Sequence, residues 1–294
     1  AMDDGRGEMR DTGTPRHELS VDGVPIRSAA TILLVADRPD LQVLTLRRTD
    51  SSTFVAGHTL FPGGAVDAGD HDPRWPSLVT GLTAATAAER LGVADGLGYW
   101  TAAVRETVEE VGVAVGTTDP GLAARMVAHR HDLEAGRVGL ADLVHDGATR
   151  LDLSGIHAVS RWVTPMPSIK RYDTYFFVAT VDPDVQPVVD GREAVHAEWC
   201  RPIDVLERWR DGQLTMISPT IAMFQRLASY GTAAGVLAAA AAGGPARRAR
   251  ILDDSTTPVR FEGDPGFHET GTRQSFGWMW LPAGDLPDPT TGWA

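Results

Sequence analysis

The sequence predicts an α/β protein, because strand patterns and helix patterns follow one another along its 294 residues. Residues 29–36 (AATILLVA) form a continuous apolar run, which is typical of a strand buried on both faces of a sheet. Residues 101–113 (TAAVRETVEEVGV) place apolar side chains at helical spacing and predict an amphipathic helix. Strand patterns return at 156–163 and 172–181, so this helix lies between strands along the chain.

The composition indicates a globular protein without a nucleic-acid or membrane partner. The hydrophobic fraction of 43% is enough for a sizeable core, and the formal charge of −12 opposes binding to a polyanion. Cys200 is the single cysteine, which excludes an intramolecular disulfide and fits a small buried side chain in a strand. The sequence has no run of about 18 apolar residues, and its acidic N-terminus lacks the pattern of a signal peptide. We therefore expect a cytoplasmic protein.

The first elements follow from local patterns. Residues 1–24 show no hydrophobic period and predict a flexible tail. Residues 41–48 alternate and predict the hairpin partner of the first strand, with residues 38–40 as the turn. This strand ends in Arg47 and Arg48, whose guanidinium groups either hold phosphate oxygens or are simply solvated.

A sharp bend is predicted within residues 57–70 (GHTLFPGGAVDAGD), where Pro62 is followed by Gly63 and Gly64. Glycine at such a bend permits positive φ and lets the backbone approach a ligand closely. Residues 71–99 then have the character of an insertion, with a Pro-rich start, an Ala-rich helix and a glycine-broken approach to the next helix.

The helix over 101–113 carries three carboxylates on one side. Glu106, Glu109 and Glu110 lie at i, i+3 and i+4, which brings their Cβ atoms within about 5–6 Å of one another. The like charges of these glutamates repel one another and destabilise the helix. A divalent cation that prefers carboxylate oxygens would turn this repulsion into a favourable interaction. Arg105 can reach Glu109 at i+4, and Gly112 is suited to end the helix. The alternative is a solvated acidic face with no ligand.

The rest of the chain completes the predicted architecture. Residues 25–232 are expected to form the main domain, and residues 233–294 an extension packed on it. The remaining elements are one or two helices in 119–147, a strand at 194–200, helices beginning at 203 and 218, an Ala-rich helix at 236–242, and edge strands in 250–261 and 277–281.

These motifs together resemble the Nudix box, written G-x5-E-x7-R-E-U-x-E-E-x-G-U with U a bulky aliphatic residue. Gly64 fills the first glycine position, while Asp70 stands where the pattern has glutamate and Thr107 where it has an aliphatic residue. About 34 residues replace the x7 spacer. The second half of the box is matched by Arg105, Glu106, Glu109, Glu110, Gly112 and Val113.

The long spacer points to one subgroup of this superfamily. Residues 44–67, 162–179 and 214–220 are similar to long Nudix hydrolases related to peroxisomal coenzyme A diphosphatases. The coenzyme A signature is met in part, because Gly57 and the FPGG motif match whereas Thr53 replaces an expected arginine. The resemblance implies an α/β/α sandwich with a mixed sheet and a helical insertion within the box.

The resemblance also implies an activity, namely metal-dependent hydrolysis of a phosphoanhydride in a nucleoside diphosphate linked to another group, most specifically coenzyme A or an acyl-CoA. Alternatives are an NADH or ADP-ribose type of dinucleotide, or a binding module without turnover. The implied cofactor is Mg²⁺ or Mn²⁺, and a homodimer is common in the superfamily. The implied metal ligands are Glu106, Glu109, Glu110 and the carbonyl of Gly64, and the implied catalytic residues are Arg105, Glu109, Glu110 and Glu193.

Further candidates lie outside the box. A glutamate from elsewhere is expected to act as a ligand or base, and Glu193 is favoured over Glu198 because it lies at a loop-to-strand junction. Lys170 and Arg171, like the arginine pair at the end of the second strand, are candidates for phosphate binding. The aromatic residues of 172–177 either stack on an adenine or belong to the core, and the alternating strand pattern favours the core.

Overall fold

The computed structural model describes residues 13, 16–19, 23–49, 57–147, 149–189, 194–252, 258–264, 267–268, 272–291 and 293. The strands are β1 (Ile26–Asp37), β2 (Leu41–Arg48), β3 (Thr59–Leu60), β4 (Gly63–Ala65), β5 (Val79–Thr80), β6 (Leu151–Asp152), β7 (His157–Val163), β8 (Arg171–Thr180), β9 (Ala194–Cys200), β10 (Arg247–Leu252), β11 (Arg260–Phe261) and β12 (Thr272–Met279). The helices are α1 (Arg16–Leu19), α2 (Trp75–Leu78), α3 (Ala84–Leu91), α4 (Leu97–Val111), α5 (Pro120–Ala128), α6 (Arg130–Glu134), α7 (Leu140–His145), α8 (Pro202–Arg210), α9 (Ser218–Leu227) and α10 (Ala233–Ala242). None of the helices in these described ranges is both long and apolar enough to cross a bilayer.

The main sheet is mixed and runs in the order β11–β10–β12–β7–β8–β1–β2. The β1–β8 pair is parallel, whereas the neighbouring pairs are antiparallel. β1 and β2 pair only where residues 35–37 face residues 41–43. Farther along, β4 pairs with β1 and β3 pairs with β2, so the bend between β3 and β4 lies where the two long strands separate. β9 pairs with β2 as well.

Helices cover both faces of this sheet. Ala30, Ile32 and Leu34 of β1 belong to one buried cluster, which they share with the apolar side of α4. The alternate residues Leu33 and Val35 belong to a second buried cluster, which contains α8, α9 and α10. Both faces of β1 are thus apolar, as its uninterrupted hydrophobic run predicts. The predicted α/β/α sandwich with a mixed sheet is confirmed.

The insertion of residues 71–99 packs into the core and extends the glutamate helix. Trp75 and Leu91 are buried in the cluster that contains α4. The predicted glycine-broken approach to this helix is wrong, since α4 already begins at Leu97 and includes Gly98. A Cβ at Gly98 would lie 2.4 Å from the His71 imidazole, so glycine permits this close packing. Segment 119–147 forms three short helices, α5 to α7, instead of one or two.

The C-terminal residues continue the same sheet. β12 pairs with β7, and β10 and β11 follow at the edge. Buried Gln225 of α9 donates to the carbonyl of Val259 at 3.0 Å and accepts from its amide at 2.9 Å. Because strands and buried side chains are shared, the described residues from 233 onward pack on the same layers as the preceding chain.

Most of the predicted flexible tail of residues 1–24 lies outside the described residues, but Arg16–Leu19 forms the helix α1, which contacts a buried acid. Arg16 donates to the Asp173 carboxylate at 3.0 Å, to Ser28 Oγ at 3.0 Å and to Tyr99 Oη at 2.6 Å. Asp173 is fully buried, and Arg161 binds it from the other side at 2.8 and 3.0 Å. A buried carboxylate requires such partners, which fixes this segment on the sheet.

We expect Arg16→Ala to lower the free energy of unfolding by about 1–3 kcal/mol, because it removes charge-assisted hydrogen bonds to a buried acid that keeps one arginine. Urea denaturation measures this change. Exposed Arg27 supplies the control, and Arg27→Ala should leave the stability unchanged. Equal effects of the two substitutions would contradict the role given to Arg16.

Candidate active site

The bend and the glutamate helix meet directly. The amide of Gly63 donates to Glu110 Oε2 at 2.8 Å across 47 positions of sequence. A Cβ at Gly64 would lie 2.5 Å from Glu106 Oε1, and a Cβ at Gly63 would lie 2.5 Å from the carbonyl oxygen of Ala30. The two glycines are therefore required by close approach, to a carboxylate on one side and to β1 on the other.

Arg105 organises the acids of the site. Its Nη1 donates to Glu106 Oε1 at 2.9 Å and to Glu109 Oε2 at 2.8 Å. Its Nε and Nη2 donate to the carboxylate of Asp70 at 2.9–3.3 Å, and Nη2 also donates to the carbonyl of Ala65 at 2.8 Å. These contacts engage every N–H group of the guanidinium, so its orientation is fixed.

Asp70 occupies the first acidic position of the box and is 2% exposed. It lies in a 3₁₀ turn of residues 68–71, where its Oδ2 also accepts from the amide of Asp67 at 2.8 Å. Its carbonyl accepts from Thr101 Oγ1 of α4 at 2.8 Å. The turn thus lies directly against the helix, and the shorter aspartate side chain reaches Arg105 without the additional methylene of glutamate.

The carboxylates of the site are unusually buried for an acidic group. Burial raises the pKa of Glu106 well above its ordinary range; Arg105 opposes this, while the charges of Glu110 and Glu109 add to it. Burial likewise raises the pKa of Glu109 to about 7, against the opposing effect of Arg105. The pKa of Arg105 is raised, because its acidic neighbours outweigh its own burial. One guanidinium therefore contacts three acidic side chains, and burial together with their mutual repulsion disfavours the charged forms of Glu106 and Glu109.

This donor set fits a hard divalent cation. The carboxylate oxygens are the ligands that Mg²⁺ prefers, and the lack of a side chain at Gly64 leaves the bend in contact with them. Within the described part of the chain, no three histidine, cysteine, aspartate or glutamate side chains already converge as a metal cluster. One oxygen of each of the three glutamates accepts a hydrogen bond, from Arg105 for Glu106 and Glu109 and from the amide of Gly63 for Glu110.

The C-terminal end of α4 is secured by residues that the sequence did not single out. Arg130 donates to the carbonyls of Glu109 at 2.8 and 3.2 Å, of Glu110 at 3.3 Å and of Val188 at 2.6 Å. The amide of Val188 donates to the carbonyl of Val111 at 2.9 Å. These contacts join distant parts of the chain, and neither hydrophobic period nor the box pattern carries a signal for them.

The candidates for phosphate binding lie in different environments. Arg47 is exposed near the end of β2, and the side chain of Arg48 lies outside the described residues. Lys170 is exposed before β8. Arg171 is buried and donates to the carbonyls of Leu19 at 3.1 Å and Thr164 at 3.0 Å, a placement that favours a structural role.

The strand register shows how far Lys170 and Arg171 lie from the bend. Arg171 pairs with Ile26, whereas Gly64 pairs with Ala30 on the same strand. Four residues of strand separate these positions along β1 by about 13 Å. Only a long substrate could contact both the bend and this end of β8.

The candidate acids outside the box stay predictions. Glu193 lies outside the described residues, so its position relative to the other acids is not assigned. Glu198 on β9 accepts from Arg208 at 3.0 Å, which is typical of a surface ion pair. Among the aromatic residues of β8, Tyr175, Phe176 and Phe177 are buried, which supports the core interpretation.

Comparison with known proteins agrees with this geometry. Residues 83–227 match the family model described as the NUDT19 Nudix domain. The acyl-coenzyme A diphosphatase NUDT19 of Gallus gallus is 24% identical over 261 residues, covering 69% of this chain and 68% of that protein. The protein of the same name from Homo sapiens is 27% identical over 264 residues, covering 69% of each.

Solved structures include a similar fold. The crystal structure of a Nudix hydrolase from Alicyclobacillus acidocaldarius aligns with a TM-score of 0.58 and 26% sequence identity. The alignment covers 73% of this chain and 96% of that one. Together with the family match, it confirms the resemblance predicted from the bend and the glutamate helix.

Proposed function

We infer that this chain, which carries a Nudix hydrolase domain, is a diphosphatase that cleaves the phosphoanhydride of coenzyme A or an acyl-CoA. The observation that carries the inference is one buried arginine, Arg105, which gathers Asp70, Glu106 and Glu109 beside the glycine bend. A binding module without turnover has little need of such a repulsive acidic cluster. The substrate class is supported by the relatives named acyl-coenzyme A diphosphatase.

The proposed metal site consists of Glu106, Glu109 and Glu110, together with the carbonyl of Gly64. Their oxygens suit Mg²⁺ or Mn²⁺, and a cation would offset the repulsion from Glu110 and Glu109 that contributes to the raised pKa of Glu106. When bound, such ions neutralise the diphosphate and make the attacking water a better nucleophile at neutral pH. Arg105 orients two of the carboxylates from behind, in the way that outer partners orient metal ligands.

The protein residues position the reaction and handle its proton. The glycine bend lets a diphosphate approach the backbone, while α4 presents its carboxylates from one side. A general base takes a proton from the attacking water as the bond between phosphorus and the bridging oxygen breaks. Glu193 is the proposed base or additional ligand. It follows residue 188, which is bound to the end of α4, and it precedes Ala194, which pairs with Arg48 on β2.

Arg47, Arg48 and Lys170 are proposed to contact outlying phosphate oxygens of the substrate. We assign no phosphate contact to Arg171, because its guanidinium is buried and donates to backbone carbonyls. The proposal includes a homodimer, which light scattering would detect as twice the chain mass of 31.5 kDa.

Product analysis tests the substrate assignment. We expect coenzyme A incubated with the protein and Mg²⁺, and separately with Mn²⁺, to yield 4′-phosphopantetheine and adenosine 3′,5′-bisphosphate. An acyl-CoA should yield acyl-phosphopantetheine and the same nucleotide. NADH and ADP-ribose serve as comparison substrates, and preferential cleavage of either would select the dinucleotide alternative. No turnover of any diphosphate with either metal would favour a binding module.

A further inference from the structure

The end of the glutamate helix depends on an arginine that lies outside the Nudix box. The last four carbonyls of a helix lack partners within it. In α4 the carbonyl of Val108 accepts from the amide of Gly112 at 3.1 Å, and that of Val111 accepts from the amide of Val188 at 2.9 Å. The two carbonyls between these belong to Glu109 and Glu110, and Arg130 donates a hydrogen bond to each of them.

The side chain of Arg130 is buried at this end of α4, since the residue is only 7% exposed. Its Nε and Nη2 face the helix end, while Nη1 donates to the carbonyl of Val188 in the segment that follows β8. A cation at a helix C-terminus interacts favourably with the helix dipole. The same guanidinium thus fixes the last turn of α4 and attaches a second segment to it.

The residues held in this way are the proposed metal ligands themselves. A backbone carbonyl and its own side chain move together when a terminal turn frays. Loss of Arg130 would remove its hydrogen bonds to the carbonyls of Glu109 and Glu110 and so loosen the turn that carries these two residues. The side-chain contacts from Arg105 and Gly63 act on the carboxylates, whereas Arg130 acts on the backbone beneath them.

We propose that Arg130 is a positioning residue that sets the affinity of the glutamate site for divalent ions by fixing the last turn of α4. The proposal rests on the proposed function, because it assumes that the carboxylates of this turn bind metal. It assigns a role to a side chain 20 positions beyond Glu110, on a different helix.

The test measures Mn²⁺ binding to the full-length chain by electron paramagnetic resonance. Removal of an outer partner of metal ligands typically weakens affinity by about 10–100-fold, and we expect Arg130→Met to raise the Mn²⁺ dissociation constant within this range. Arg130→Lys keeps the charge but not the fork of donors, so its dissociation constant should fall between those of Arg130→Met and the parent. Hydrogen exchange at the amides of Gly112 and Val188 should accelerate in Arg130→Met.

Arg125 provides a matched control, because its Nε donates to the carbonyl of Leu143 near the end of α7 at 3.0 Å. Arg125→Met removes the same kind of contact from another helix and should leave Mn²⁺ affinity within about twofold of the parent. Unchanged affinity in both Arg130 variants would overturn the positioning role while the proposed function stands. If the parent chain itself binds no Mn²⁺ and cleaves no diphosphate, the proposed function fails and this inference fails with it. If Arg130→Met does not fold, Arg130→Lys decides the question.

Discussion

Glu110→Gln is expected to lower kcat for coenzyme A by about 10²–10⁴-fold, the size of effect that a positioned catalytic group commonly contributes. Glutamine has nearly the shape of glutamate, and its amide oxygen can still accept from the amide of Gly63, which is 2.8 Å from Glu110 Oε2. What is lost is the negative charge beside the buried carboxylate of Glu106. The fold should therefore survive while the proposed metal site is weakened.

Two measurements separate this effect from a loss of structure. Circular dichroism and the unfolding midpoint of Glu110→Gln should match those of the parent. Exposed Glu207 on α8 supplies the control, since Glu207→Gln makes the same chemical change away from the cluster and should leave kcat unaltered. Activity of Glu110→Gln within about twofold of the parent would refute the assignment of the site to these glutamates.

The sheet was predictable from sequence because its signals are local. The strands at 41–48 and 194–200 have the predicted bounds, and the apolar run at 29–36 forms the centre of β1. In β1 and β2 most of the described side chains are buried against the layers of the sandwich, as the pattern predicts. The contact between the bend and the glutamates was predictable through the resemblance to the Nudix box, which joins them across the insertion, whereas the roles of these residues stay predictions.

The remaining features depend on contacts between distant positions. Arg16 lies in a polar stretch without period, and its hydrogen bonds to the buried carboxylate of Asp173, to Ser28 and to Tyr99 hold it in place. Arg171 has the charge of a phosphate ligand, yet its strand position buries it against carbonyls. Gly98 weakens a helix by propensity, but the packing of His71 against it favours a residue without Cβ. Tertiary packing decided each of these cases against the local pattern.

Asp70→Ala is expected to lower the free energy of unfolding by about 1–3 kcal/mol, the cost of leaving buried donors without their acceptor while Arg105 keeps its ion pairs with Glu106 and Glu109. Asp70 is 2% exposed and accepts from Nε and Nη2 of Arg105. Its removal therefore takes a carboxylate acceptor from both of these nitrogens in a guanidinium that is itself buried. Urea denaturation measures the loss. Asp72 is a matched control, because it binds Arg74 with similar distances at a more exposed place. Asp72→Ala should cost much less, since exposed pairs contribute little.

Asp70→Glu distinguishes the length of this side chain from its charge. The superfamily pattern has glutamate at the position, but here Thr101 holds the carbonyl of Asp70 against α4 at 2.8 Å. The additional methylene must then be accommodated in a filled space, which typically costs about 1–3 kcal/mol. We expect Asp70→Glu to be less stable than the parent and more stable than Asp70→Ala, because the charge is retained. A variant as stable as the parent would show that the turn can withdraw from the helix, and that the geometry around Arg105 does not require aspartate.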